Sequence, residues 1–165
     1  MSDRRVYHYT DIANKLPLII GSGGLMPTNT FAENERPLIW FTTSPDFEPT
    51  ATRGIYDKET GETKWLTVQE QEKMLGLCRF LLPATDKRLM NWKKACVYAG
   101  TPKRIRVALE KYAREKGSNT KDFFAVAPFI PLSELSFERW TGQEWLNCDD
   151  DLARIIAESD LEATP

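Results

Sequence analysis

The chain is poor in the residues that most often carry metal and redox chemistry. Its 165 residues hold one histidine, His8, and three cysteines, Cys78, Cys96 and Cys148. An odd number of widely spaced thiols matches neither a disulfide framework nor a zinc-ligand spacing. The expectation is therefore reduced thiols, no metal and a cytoplasmic setting. No apolar run approaches the roughly 20 residues of a membrane-spanning helix, and nothing resembling a leader precedes the first apolar run, so no membrane partner is expected. A phosphate loop is also missing. Gly21-Ser22-Gly23-Gly24 runs into Leu25-Met26-Pro27 without the Gly-Lys-Ser/Thr that such a loop needs. There is no internal repeat, low-complexity segment or interdomain linker.

What is present suits one globular domain. With 41% hydrophobic and 28% charged residues, the chain can bury a core without metals or disulfides. A net charge of -2 hides an uneven distribution. Between Lys87 and Lys121, eleven basic residues stand against Glu110 and Glu115, whereas from Glu144 onward seven acids face only Arg154. The basic segment is able to meet phosphates and the acidic one is not. Lys93, Lys94, Lys103, Arg104 and Lys111 are thus candidate contacts for DNA, RNA or another acceptor. A solvated basic face balanced by an acidic tail is the alternative.

Apolar and aromatic runs place strands at both ends of the chain. Val6-Tyr7-His8-Tyr9-Thr10 reads as the first, with Asp11 capping a short helix that Pro17 limits. Pro37 to Ser44 reads as the second strand, followed by a long connection with a hairpin tip at Asp57 to Glu62. Thr67-Val68-Gln69-Glu70 matches a capping box. Met74 to Leu82 reads as a buried strand with Arg79 as its odd member. Arg88 to Tyr98 reads as a helix, and Thr101-Pro102 opens another that ends at Gly117, with Ile105, Ala108, Leu109, Tyr112 and Ala113 as its apolar stripe. Strands are expected at Phe123 to Phe129, Leu135 to Trp140 and Glu144 to Leu146, the last two joined by a hairpin.

Two strands carry ligand-binding side chains. The His8 imidazole can bond a sugar hydroxyl, Tyr9 offers a stacking face, and the Thr10 hydroxyl can fix an amide or ribose. In Trp40-Phe41-Thr42-Thr43-Ser44, alternate residues point to opposite faces, so either face offers a ring and a hydroxyl. A one-residue change of register would exchange Trp40 and Phe41.

A strand ending in His-Tyr-Thr, a helix finishing in Ser-Gly-Gly-Leu, and a strand of the type Ile-Trp-Phe-Thr-Thr-Ser together resemble the NAD-binding half of the ADP-ribosyltransferase superfamily. The match is concentrated in residues 8–44. It implies a single α+β domain over residues 1–148, with split mixed or antiparallel sheets and flanking helices. Residues 149–165 would then be an acidic tail with a short helix. It also implies NAD as co-substrate. His8 and Thr10 would hold its ribose and amide, with Tyr9 beside them. Trp40 or Phe41 would stack on the nicotinamide, with Thr43 and Ser44 in support.

The reaction so implied breaks the nicotinamide N-glycosidic bond and passes ADP-ribose to a protein or nucleic acid. Positive charge developing on the ribose calls for a nearby carboxylate. The family's glutamate usually opens a late strand, but Phe124 to Phe129 contains no acid. Glu138 becomes the leading candidate, with Glu134 and Glu48 behind it and Arg79 as a possible phosphate ligand. Two other readings keep the cleft: an N-glycosidase or RNA 2'-phosphotransferase type of enzyme acting on nucleic acid, and a catalytically degenerate module that binds a nucleotide or partner.

Overall fold

A computed structural model describes residues 3–29 and 34–162. The chain is an α+β domain in which every strand pairing among the described residues is antiparallel. In chain order its elements are β1 (Arg5–Asp11), α1 (Lys15–Gly21), β2 (Gly24–Leu25), β3 (Ile39–Thr42), β4 (Gly54–Tyr56) and β5 (Thr63–Trp65). Then come α2 (Val68–Leu75), β6 (Leu77–Pro83), β7 (Met90–Asn91), α3 (Trp92–Ala99) and α4 (Lys103–Glu115). The remainder is β8 (Phe123–Val126), β9 (Ile130–Pro131), β10 (Ser136–Trp140), β11 (Trp145–Asn147) and α5 (Asp149–Glu162). Seven strands form the main sheet in the order β11-β10-β6-β1-β3-β8-β7, while β2-β9 and β4-β5 are separate two-stranded pairs.

The central strands read alternately because directly opposed residues share a face. On one face, Val6 opposes Leu82, His8 opposes Phe80, and Phe80 opposes Phe137. These residues, apart from His8, belong to the larger core with Leu25, Phe41 and Ile130. On the other face, Tyr9 opposes Arg79 and Arg79 opposes Glu138. A smaller core packs Ala95 and Ala99 of α3 against Leu38 and Ala125.

Several boundaries depart from the sequence pattern for local reasons. α1 begins only at Lys15, and the Asp11 carboxylate accepts from the Asn14 and Lys15 amides at its start. Pro17 is then in the first turn, where its missing N–H costs nothing. The Thr67 capping box is present, and α2 runs to Leu75. Gly76, at φ +71, ends it, so β6 starts three residues later than the apolar run suggests. α3 starts at Trp92 rather than Arg88 because Met90 and Asn91 pair with β8. β8 stops at Val126, and Ile130–Pro131 turns away to pair with β2. That pairing needs glycine at position 24, where a Cβ would lie 2.1 Å from the Ile130 carbonyl oxygen.

On α4 only Ala113 is fully buried, while Ala108 and Tyr112 of the expected stripe are exposed. The acidic segment is a 14-residue helix, longer than the short one expected, and it buries Leu152 in the main core. Residues 163–165 lie outside the described residues. Among the described residues, no helix is long and apolar enough to cross a membrane.

Candidate functional site

The main sheet has one weak seam. β1 is paired with β6 along seven positions but meets β3 at the single pair Tyr7 and Thr42. Two residues along β3 from that pair, the Trp40 carbonyl accepts from His8 Nδ1 at 2.8 Å. Beside the seam lies a cavity of about 570 Å³, within the range of small-molecule sites. β1 contributes Tyr7, His8 and Tyr9 to its wall, and β3 contributes Trp40, Phe41 and Thr42. Glu48, Arg53 and Trp65 come from the long connection, and Trp92, Leu109, Tyr112 and Phe123 also line it.

The protonation state of His8 follows from its surroundings. Burial lowers its pKa from the usual 6.5; the hydrogen bond to the Trp40 carbonyl opposes this, and the Arg53 charge adds to it. A carbonyl only accepts, so in the neutral ring Nδ1 carries the proton and Nε2 is left as an acceptor. Because the folded pKa is depressed, the unfolded chain binds the extra proton first as the medium becomes acidic. Stability is expected to fall as pH drops below about 6.5, by no more than ~1.4 kcal/mol per pH unit from this group. Thermal midpoints across that window should decline less steeply in His8→Gln than in the wild type; equal slopes would assign the acid sensitivity to another group.

Arg53 is a site residue that sequence reasoning missed. Its Nε pairs with Asp11 Oδ2 at 2.8 Å, and its Nη2 donates to Thr10 Oγ1 at 2.9 Å. Its backbone amide donates to Gln71 Oε1. Asp11 and Thr10 are both fully buried, so the end of β1 holds this guanidinium in the cavity wall. The Thr10 hydroxyl is thus committed to Arg53, and Thr10 is not in the cavity wall as expected. The available signal was an acid, Asp11, at the end of a buried strand, which needs a cation from elsewhere in the chain.

The expected catalytic pair is committed elsewhere. Arg79 is buried, its guanidinium lying 4.2 Å from the centres of both the Tyr7 and Trp145 rings. Its Nε and Nη2 bond Glu138 Oε2 at 2.6 and 2.5 Å, and its Nη1 donates to the Tyr9 hydroxyl and the Pro45 carbonyl. Neither Arg79 nor Glu138 lines the cavity. Glu134, the next candidate, pairs with Arg88 at 2.6 Å. The carboxylate that does line the cavity is Glu48, placed with Glu134 behind Glu138 in the sequence reading. It is 5% exposed and accepts from Thr42 Oγ1, Thr50 N, Thr50 Oγ1 and Ser118 Oγ.

The remaining candidates divide between the cavity and the surface. Trp40 and Phe41 both line the cavity, so the register does not choose one over the other: Trp40 packs beside Trp92, and Phe41 meets the edge of His8. Tyr9 is buried between Phe47 and Trp145, with its hydroxyl donating to the Ser44 carbonyl at 2.5 Å. Burial raises its pKa, so it stays protonated. Thr43 is exposed and bonds Asp122, and Ser44 does not line the cavity, so neither supports a ligand there. Lys93, Lys94, Lys103, Arg104 and Lys111 are all exposed, on α3 and α4. α4 turns Leu109, Tyr112 and Ala113 to the cavity, so a basic helix forms one wall of it.

Burial raises the Cys78 thiol to about 12 and the Cys96 thiol to about 11, so both stay protonated at neutral pH. No group of three or more His, Cys, Asp or Glu among the described residues could hold a metal ion. No protein-family model, curated protein or solved structure matches this chain. What the fold and the seam define is a class: an antiparallel α+β domain with an aromatic-walled cavity beside its central strands.

Proposed function

We propose that this chain is an ADP-ribosyltransferase-like enzyme that binds NAD, cleaves its nicotinamide N-glycosidic bond and transfers ADP-ribose to a macromolecule. The observation carrying this reading is the His8 ring, whose Nδ1 is committed to Trp40 while Nε2 is left to accept from a ligand hydroxyl in an aromatic cavity. The residues fit such a ligand. The rings of Trp40 and Trp65 in the wall suit a flat heterocycle, and the Arg53 guanidinium, its charge matched by Asp11, keeps further N–H donors for a diphosphate. When bound, NAD would supply a glycosidic bond that breaks as its ribose gains oxocarbenium character. His8 would hold the ribose, the rings would orient the nicotinamide and exclude water, and Glu48 would present a fixed carboxylate to the developing charge. The exposed cations of α4, on the helix that walls the cavity, favour a nucleic-acid acceptor.

That same basic wall supports a second reading, in which the cavity cleaves an N-glycosidic bond or handles a 2'-phosphate in nucleic acid without NAD. The deciding experiment incubates the purified protein with NAD, alone and with DNA, RNA or protein acceptors, and follows free nicotinamide and ADP-ribose transfer by mass spectrometry. Nicotinamide release that falls about tenfold or more in His8→Ala is the expected result, the scale of one lost ligand hydrogen bond. Absence of release in every mixture overturns NAD chemistry. Salt-sensitive nucleic-acid binding with base release would then favour the second reading, and binding without any turnover a degenerate module.

A further inference from the structure

Buried charges in proteins are matched by an opposite charge or by a bound ion, because an isolated ionised group loses its hydration without recompense. Glu48 breaks that pattern. Its partners at Thr42, Thr50 and Ser118 are hydroxyls and one amide, all uncharged. Among the described residues no Lys, Arg or His nitrogen forms an ion pair with it. The one cation in the cavity wall, Arg53, is already matched by Asp11 at 2.8 Å. His8 carries no charge at neutral pH, because burial lowers its pKa. The wall therefore holds one carboxylate in excess. Hydroxyls from β3, from the turn after it and from the turn after α4 hold that carboxylate in place, so it is positioned before any ligand arrives.

We infer that the cavity selects a heterocycle made cationic by substitution at its ring nitrogen, with Glu48 as the counter-charge. This rests on the reading of the cavity as a nucleotide site, but it concerns which nucleotides enter. Aromatic faces at Trp40, Trp65 and Tyr112 add to the preference, since a ring face attracts a cation and not its neutral analogue. Two kinds of nucleotide share this chemistry: an N-glycosylated pyridinium, as in oxidised NAD, and an N7-alkylated purine. Both bear the positive charge on the ring attached to the sugar.

Matched probes test the inference by titration calorimetry on the whole protein. One pair is N1-methylnicotinamide against nicotinamide; the other is 7-methylguanosine against guanosine at slightly acid pH, where the methylated ring is cationic. In at least one pair the cationic member should bind about tenfold or more tightly, the scale of one partly desolvated cation contact, and Glu48→Gln should remove the preference. Preference in the nicotinamide pair supports both this inference and the NAD reading. Preference in the purine pair alone supports the inference while overturning the NAD reading. No preference in either pair, no binding of any probe at millimolar concentration, or a preference undiminished in Glu48→Gln overturns the inference. Should Glu48→Gln fail to fold by circular dichroism, the wild-type titrations still decide. The Glu48 side-chain carboxyl carbon resonance must then shift with the cationic member and not with the neutral one, and equal shifts overturn the inference.

Discussion

Arg79→Leu is expected to lower the unfolding free energy by about 3–5 kcal/mol, the cost of leaving one member of a buried ion pair alone. The loss should appear in urea unfolding, with little change in the affinity of any cavity ligand. Arg79 sits in a cross-strand row, Tyr9 on one side and Glu138 on the other, because β1, β6 and β10 are neighbours in register. Its guanidinium lies between the Tyr7 and Trp145 rings and also holds the Pro45 carbonyl, so it ties β1, β11 and the chain after β3 together. Removing it strands the half-buried Glu138 carboxylate, whose side chain is 18% exposed. Adding Glu138→Leu should recover part of the loss, because replacing both members of a pair costs less than breaking it. If Arg79→Leu left stability unchanged and abolished ligand binding, the residue would belong to the site.

Arg53→Ala should cost less stability, about 3 kcal/mol, and should affect binding as well. Asp11 is fully buried, and without Arg53 it keeps only the Asn14 and Lys15 amides as donors. Adding Asp11→Asn should restore part of the stability by removing the stranded charge, but it should not restore nucleotide affinity, because the cation in the wall is still missing. Arg53→Lys is expected to fall between the two, since an ammonium cannot bond Asp11 and Thr10 in the same planar fork. Chemical denaturation and nucleotide titration on the same three variants separate the two effects. Equal recovery of both in the double variant would show that Arg53 acts on the ligand only through folding.

The two residues differ in how much of their role could be read from the chain. Arg79 stands out as the odd member of an apolar strand, but its partner is Glu138, 59 residues away. A single sequence carries no register between β6 and β10, so both side chains remain available for chemistry until the sheet is assembled. Arg53 gives a weaker signal still, one cation in a long polar connection, and its role appears only when Asp11 is found buried beneath it. Glu48 was visible as a candidate, but nothing local distinguishes it from Glu138 or Glu134.

The α+β class, the capping box at Thr67, the first strand around His8 and the aromatic character of its neighbour are legible in the chain alone. Those features rest on period-two alternation, capping chemistry and propensity, which act over a few residues. Which acid faces the cavity and which arginine holds the sheet emerge only once the strands are assembled. The same holds for Thr43 pointing outward while Trp40 and Phe41 both reach the cavity wall. Those choices follow from long-range strand pairing, which no local pattern sets, and β1 and β3 share only one register pair among the described residues.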